Sequence, residues 1–412
     1  MSSAHKQSLL KQPMTVWAVA FASVVAFMGI GLVDPILNSI ATDLHATSVQ
    51  TELLFTSYLA VTGVVMFFSS WVSSRIGAKK TLLIGLAVIV VFALACSLSG
   101  TVDLVIGFRA GWGLGNALFI STALATIVGA AAGGSEAAII LYEAALGVGI
   151  AIGPLLGGLL GHAYGWRGPF AGVAILMAVA FIAIITMLRG EVEKPKPVSI
   201  GAPFRALAQP ALGLLAVSAL FYNMGFFILL AFSPLVLSAL GVETMQMGYV
   251  FFGWGLALAI TSVWLAPRQL EHFRRTTVLI ATFVLLAIDL AAGALAIHSS
   301  VGLIVVIVVG GLLLGVVNTT LTEAVMEATD LPRSVASSSY SGVRFLGGAV
   351  APPLAAALAG LAGDWLPYVF AGVVVIIAAL VLVFGRSRLA RVDMRGADAV
   401  EEAEAVAIGD AN

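Results

Sequence analysis

Three ionisable residues lie inside long apolar stretches of the sequence: Asp34, Arg109 and Glu143. If such a stretch crosses a lipid bilayer, a charge at its centre costs at least about 2.5–3.5 kcal/mol, so each residue marks a candidate site. A carboxylate in that position can take up a proton and become neutral, and a neighbouring guanidinium can change its proton affinity. Glu143 is therefore a candidate for proton exchange, Asp34 for proton exchange or cation recognition, and Arg109 for modulating a carboxylate or contacting substrate.

Each of these residues also has a purely structural interpretation. Arg109 would then anchor helices by bonding backbone carbonyls, and Glu143 would extend toward the membrane interface. Asp34 would cap a helix break at Pro35, which follows it directly. The sequence leaves both interpretations open for all three residues.

Two further positions carry acids in apolar runs. Asp289 has the same two interpretations, with a coupling role the less favoured. Glu323 is expected near the end of its run, where Arg344 could neutralise it, so we predict a static ion pair between them. The five His residues are scattered and Cys96 is the only Cys, so the sequence predicts no metal site, cofactor or disulfide.

The amino-acid composition indicates whether these residues lie in a membrane protein or in a soluble one. The 412 residues are 60% hydrophobic and 10% charged, whereas soluble proteins are about 45–50% apolar and about 25% charged. The sequence therefore predicts an all-α polytopic membrane protein, because a β-barrel would alternate apolar and polar residues. Twelve stretches reach the length of about 20 residues that a spanning helix needs: 16–40, 51–73, 81–99, 102–127, 136–161, 167–188, 209–239, 245–267, 276–297, 301–326, 334–361 and 365–385.

Positive charge predicts the orientation of these spans. With a cytoplasmic N-terminus, 17 of the 20 Lys and Arg residues fall on the cytoplasmic side. Arg167 alone then lies outside, and Arg109 and Arg344 lie within spans. We therefore expect a multi-pass protein of the bacterial cell or inner membrane with both termini cytoplasmic. A net charge of -1 gives no reason to expect a nucleic-acid partner.

The chain divides into two six-span halves that resemble each other. A charged, proline-bearing segment follows the sixth span, which predicts a six-helix bundle over 1–188, a cytoplasmic loop over 189–208 and a second bundle over 209–385. A shift of about 199 residues places Gly149 and Pro154 on Gly348 and Pro353. Such a duplication is a known transporter plan, with substrate between the halves. The acidic segment 386–412 is expected to be a disordered cytoplasmic tail.

Three motifs resemble the major facilitator superfamily, within it the twelve-span drug:proton antiporters. The stretch "SWVSSRIGAKKTLL" is similar to the family's loop motif through Arg75, Gly77, Lys79 and Lys80, but Ser70, Ser74 and Ala78 replace its usual Gly, Asp and Arg. The stretch "LVIGFRAGWGLGNA" is similar to the motif with a buried arginine, here Arg109. The resemblance covers roughly residues 15–388 and implies the major facilitator fold.

The most specific match is "GIAIGPLLGG" in span five, through Gly149, Gly153, Pro154, Gly157 and Gly158. Small residues spaced by four form a bare stripe that lets a second helix approach closely in lipid. The resemblance implies that this helix meets the opposite half as a sliding contact during alternating access. The stripe could equally serve packing alone.

The resemblance also implies which spans line a substrate cavity. Spans one, four, seven and ten would do so, and their candidate residues are Trp112, Asn116, Phe119, Tyr222, Asn223, Phe226 and Glu323. Aromatic surfaces suit lipophilic ligands and a carboxylate favours cations. We expect a monomeric, non-enzymatic exporter that exchanges lipophilic or cationic drugs for protons across the bilayer. The alternative is a facilitator that exports or imports one metabolite or lipid-like molecule.

Overall fold

The computed structural model describes residues 12–32, 36–131, 134–188 and 197–393, and the regular structure within them is helical throughout. Twelve helices are long and apolar enough to cross a membrane. In chain order these are α1 Met14–Gly31, α2 Ser48–Ile76, α3 Ala78–Ser97, α4 Val102–Ala130, α5 Gly134–Tyr164, α6 Arg167–Met187, α7 Pro210–Ala239, α8 Thr244–Ile260 (continued by a π-helical turn Thr261–Leu265 and by Ala266–His272), α9 Arg275–Leu295, α10 Ser300–Glu327, α11 Arg333–Ala362 and α12 Trp365–Phe384. The predicted fold class is confirmed.

The first span differs from its prediction. We expected one helix over 16–40, but α1 ends at Gly31 and a separate short helix covers Leu37–Asp43. The intervening sequence contains Pro35, and proline has no N–H with which to continue a helix. Asp34 and Pro35 lie outside the described residues, so their predicted roles stay predictions.

Very short connections make several neighbouring helices antiparallel. Gly77 separates α2 from α3 at φ +88°, and Gly165 separates α5 from α6 at φ +67°. Only glycine adopts such positive φ values without strain, so these turns depend on it. Gly77, a residue of the loop motif, therefore reverses the chain direction.

The two halves repeat one packing arrangement. A side chain at Gly149, Gly153 or Gly157 of α5 would collide with backbone atoms of α1. A side chain at Gly347 of α11 would likewise collide with the Leu220 carbonyl of α7. The close packing of α5 on α1 in the first half thus has a counterpart in the close packing of α11 on α7 in the second.

The two halves contact each other along two seams. In one, Gly63 of α2 lies against Leu346 of α11, where an added Cβ would be 2.9 Å from the leucine side chain. In the other, Gly147 and Ala151 of α5 lie against Ala259 and Gly255 of α8. Small residues in both seams allow the backbones to approach closely.

Residues 386–393 are structured, so the expectation of disorder is wrong for this part of the predicted tail. They form a 3-10 turn, Arg386–Arg388, and a short helix, Ala390–Asp393. Leu389 and Val392 are fully buried, and apolar burial offsets the entropy lost on ordering. The rest of the tail, 394–412, lies outside the described residues, as does the part of the predicted central loop over 189–196. A short helix, Ala202–Leu207, occupies the end of that loop.

Candidate functional site between the two halves

Glu143 is fully buried on α5, at the boundary between the halves. Its Oε1 accepts a hydrogen bond of 2.7 Å from the Thr322 hydroxyl of α10 in the second half. Its Oε2 has no hydrogen-bond partner within the part of the chain that the structure describes. An ionisable side chain buried inside a span is costly in a bilayer, so Glu143 remains a candidate functional residue.

The positively charged Arg344 side chain is near enough to Glu143 for an electrostatic attraction between them. It lies on α11 and is 8% exposed, with its guanidinium carbon 6.0 Å from the centre of the Tyr340 ring. Its backbone carbonyl accepts a hydrogen bond of 2.6 Å from the Asn223 side chain of α7. Asn223 thereby holds the turn of α11 that carries the guanidinium.

Tyr222 and Asn318 extend this arrangement inside the second half. The Tyr222 hydroxyl donates to the Asn318 side-chain oxygen over 2.5 Å, joining α7 to α10, and the Tyr222 ring stacks on Phe283 at 5.8 Å. We call the set of Glu143, Thr322, Arg344, Asn223, Tyr222 and Asn318 the central polar cluster. All six side chains are buried, so their polar atoms are shielded from water in this structure.

The structure brings only part of the predicted substrate cavity together. Tyr222 and Asn223 belong to the central polar cluster. Phe226 instead packs 5.7 Å from the Trp254 ring. The aromatic stretch of span seven is thus divided between a polar and an apolar environment.

The span-four candidates lie inside the first half. Trp112 packs edge-to-face on Tyr58 and on Phe170, each at 6.2 Å, and Phe119 lies where α4 contacts Gly85 of α3. Asn116 is fully buried, and neither side-chain amide atom has a hydrogen-bond partner among the described residues. In this state packing within the half accounts for Trp112 and Phe119.

Arg109 contacts backbone carbonyls and rings. Its Nε donates to the Leu54 carbonyl at 3.2 Å, and its Nη1 donates to the Gly29 carbonyl at 3.4 Å. Its guanidinium carbon lies 4.4 Å from the centre of the Tyr58 ring. These contacts connect α1, α2 and α4 of the first half, which favours the anchoring interpretation over the modulating one.

Glu323 pairs with Arg275 of α9, from Oε2 to Nε at 3.4 Å. The prediction of a Glu323–Arg344 pair is therefore wrong, because α10 turns the two adjacent residues Thr322 and Glu323 toward different neighbours. Arg275 also donates to the Val392 carbonyl at 3.1 Å. Glu323 thus belongs to the contact with the segment after α12 and not to the central polar cluster.

Asp289 lies in the interior of the second half, where it is 8% exposed. A Cβ at Gly310 of α10 would lie 3.3 Å from its Oδ2, so the missing side chain leaves room for the carboxylate. Among the described residues no three His, Cys, Asp or Glu side chains group as they would around a metal ion.

The basic loop motif divides into a structural and an exposed part. Lys79 donates to the Leu188 carbonyl at 2.7 Å and so holds the end of α6, whereas Arg75 and Lys80 are exposed. Ser74, where the family motif has an acid, accepts a hydrogen bond of 3.1 Å from the Val198 backbone N–H. Ser74, at the position of the motif's acid, thus binds the backbone of the central loop through this hydrogen bond.

The glycine stripe of α5 packs within its own half. Gly149, Gly153 and Gly157 lie against α1 and the residue that follows it, Leu32. The helix contacts α8 of the opposite half through another face, with Gly147 and Ala151. Pro154 takes part in both contacts, because its ring lies near Gly31 and its carbonyl near Gly248.

The halves are closed on the predicted cytoplasmic side. Arg333 at the start of α11 donates to the Val128 carbonyl of α4 at 2.9 Å, and the Ser337 hydroxyl donates to the Ser121 carbonyl at 3.4 Å. On the other side a cleft of about 500 Å³ opens between the halves, lined in part by Gly158, His162 and Glu243. This cleft does not reach the central polar cluster, and Glu143 is 0% exposed, so the cluster is occluded in this structure.

Sequence reasoning missed Thr322, Asn318 and Arg275. A signal for the first two was present, since the run "NTTLTE" (318–323) places five polar residues in an otherwise apolar span. Asn318 also ends the stretch "GVVN" (315–318), which is similar to "GLGN" (113–116) with Asn116 at its end. The Arg275 contact joins residues far apart in the chain and has no local signal.

A model of the Major Facilitator Superfamily matches residues 19–331. The chain belongs to the major facilitator superfamily. It is therefore a membrane transporter of small-molecule substrates and not an enzyme. The fold agrees with the resemblance drawn from the motifs.

Several relatives of this superfamily transporter carry functional names. It is 53% identical over 94% of its length to the multidrug efflux protein YfmO of Bacillus subtilis, covering 96% of that protein. Over 42% of its length it is 31% identical to the tetracenomycin C resistance and export protein of Streptomyces glaucescens, covering 34% of that protein. The human organic anion transporter MFSD10 (TETRAN) has the same fold, with a TM-score of 0.73 and 16% identity over 90% of this chain and 99% of that one.

Proposed function

We propose that the protein exports lipophilic or cationic drugs and similar small molecules in exchange for protons, by alternating access. The observation that carries the proposal is Glu143, a buried carboxylate that contacts the opposite half through Thr322. A proton carrier must change its exposure when the halves move, and a group at their boundary does so. The name of the 53% identical relative, a multidrug efflux protein, supports export of drugs.

The exchange follows from the charge on Glu143. In the inward-facing state the ionised carboxylate attracts a cationic substrate from the cytoplasm or the inner leaflet. After outward opening it meets protons, and neutralisation releases the substrate and removes the cost of burying a charge during the return. The Thr322 hydrogen bond then forms only when the cytoplasmic side closes, as it has in this structure.

The proton gradient supplies enough free energy for this work. One inward proton releases about 2.3 kcal/mol per 100 mV and about 1.4 kcal/mol per pH unit. Together these support a gradient of roughly a few hundredfold for a neutral substrate at one-to-one exchange. We place the protein as a monomer in the bacterial cell or inner membrane, with both termini in the cytoplasm.

The test is ethidium efflux from proteoliposomes under an imposed pH gradient. We expect Glu143→Gln to abolish gradient-driven efflux, because glutamine cannot exchange a proton. Glu327→Gln is the matched control, since Glu327 is an exposed acid at the end of α10. Gradient-driven efflux that survives in Glu143→Gln and is lost in Asp34→Asn would move the proton site to Asp34. If the wild type moves no ethidium under any gradient, the drug-antiport proposal fails.

A further inference from the structure

A groove of about 550 Å³ lies on the membrane-facing surface between α7 and α12, at the predicted cytoplasmic end. Its walls include Val217 of α7 and Leu380 and Phe384 of α12. These side chains are 44%, 43% and 83% exposed, respectively. In a bilayer such a surface is covered by acyl chains, because only they match its apolar character.

The two helices approach each other at the end of the groove through a glycine. A Cβ at Gly385 would lie 2.5 Å from the Leu214 side chain of α7, so this position admits no larger residue without a shift. Leu214 and Gly385 both belong to the lining, so the close approach lies within the groove.

A basic, polar edge borders the groove where α12 ends. Ser387 and Arg388 belong to its lining and are exposed, and its lining contains no acidic residue. The segment that carries them is held in place, since Arg275 donates to the Val392 carbonyl and Asp393 accepts from the Thr276 backbone N–H at 2.9 Å. The guanidinium is thus attached to a fixed backbone at the level of lipid headgroups.

We infer that this groove is a binding site for an anionic phospholipid. The acyl chain lies along Val217, Leu380 and Phe384, and the headgroup phosphate accepts hydrogen bonds from Arg388 and Ser387. Each basic residue near an anionic surface contributes attraction equivalent to about a fivefold change in affinity. The site prefers an anionic lipid over a zwitterionic one of the same chain length, and this inference is independent of the transported substrate.

The experiment measures binding of phosphatidylglycerol and phosphatidylcholine to the purified full-length protein in detergent, by native mass spectrometry. We expect phosphatidylglycerol to bind the wild type more tightly, and Arg388→Gln to weaken it about fivefold without changing phosphatidylcholine binding. Val217→Trp fills the groove and should weaken both lipids. Arg274→Gln is the matched control, because Arg274 is exposed at the same predicted side but outside this groove.

Three outcomes would overturn the inference. One is equal binding of the two lipids to the wild type. Another is an equal loss of phosphatidylglycerol binding in Arg274→Gln and Arg388→Gln, which would mean general attraction to a basic surface. The third is full competition by glycerol phosphate without acyl chains, which would assign the site to a free phosphate. A thermal unfolding curve for each variant separates loss of lipid from loss of fold.

Discussion

Two buried arginines, one in each half, occupy opposite chemical environments. Arg109 of α4 donates to the Leu54 and Gly29 carbonyls and faces aromatic rings. Arg344 of α11 acts on Glu143, across the boundary between the halves. An arginine bound to backbone within one half holds helices together, whereas one opposite an acid of the other half responds when that acid gains a proton. Burial alone therefore does not distinguish the two arginines; the location of the groups that each one faces does.

The largest effect is expected from removal of the anchor in the first half. Arg109→Gln loses two charge-assisted hydrogen bonds, each worth about 1.5–3 kcal/mol, so the free energy of unfolding should fall by about 3 kcal/mol or more. Thermal unfolding in detergent measures this loss. Arg109→Lys keeps the charge but not the fork of donors, so it should recover only part of the stability. A stable, transport-inactive Arg109→Gln variant would contradict the anchoring role.

The second arginine should show the reverse pattern. Arg344→Gln removes the positive charge opposite Glu143, so we expect gradient-driven efflux to fall at least about tenfold, a barrier change of roughly 1.4 kcal/mol. The unfolding temperature should change less than in Arg109→Gln. Efflux assays and unfolding curves on the same preparations provide the comparison. Equal destabilisation by the two substitutions would remove the distinction between the arginines.

Removal of the hydrogen bond between the halves should give an intermediate effect. Thr322→Val leaves the Glu143 carboxylate without its 2.7 Å donor, at a cost of about 1.5–3 kcal/mol to this occluded state. Accessibility of an engineered cysteine on the predicted cytoplasmic side should increase as the halves separate. Thr320→Val is the control, because the Thr320 hydroxyl has no hydrogen-bond partner among the described residues. The same increase in both variants would exclude a specific lock.

An exposed arginine should matter least. Arg391 hydrogen-bonds to Asp330, and this contact lowers the pKa of the Asp330 carboxyl below its usual value. The pair therefore stabilises the fold above the usual pKa of an aspartate, near 4, and this contribution is lost as the pH falls through the lowered value. Arg391→Gln should change stability slightly at pH 7, and the difference should shrink as the pH falls through the lowered pKa of Asp330. Added salt should reduce the difference at pH 7, because the pair is exposed.

The sequence predicted the architecture well because membrane crossing imposes a local rule. Twelve runs of about 20 apolar residues are visible without knowledge of their neighbours, and the fold class follows from them. The interruption after Gly31 was signalled by Pro35, although the predicted span 16–40 passed over it. The order in segment 386–393 was missed, since it depends on Leu389 and Val392 finding a distant surface.

The candidate site was less accessible to sequence reasoning because its geometry joins distant residues. Glu143 could be singled out as a lone acid in an apolar run, but Thr322 lies 179 positions away. The motif drew attention to Gly153, whose partner is α1, while Gly147 contacts the other half without belonging to the motif. A helix presents several faces, and one sequence does not say which neighbour each face meets.

The hydrogen bonds between Asp393 and Thr276 can form only late in synthesis of the chain. Asp393 accepts hydrogen bonds from the backbone N–H and the hydroxyl of Thr276, in the first turn of α9, across 117 positions of chain. Thr276 is therefore synthesised 117 residues before Asp393, the residue whose carboxylate accepts its two hydrogen bonds. A chain that terminates before residue 393, even after all twelve spans, lacks both of these hydrogen bonds at the start of α9.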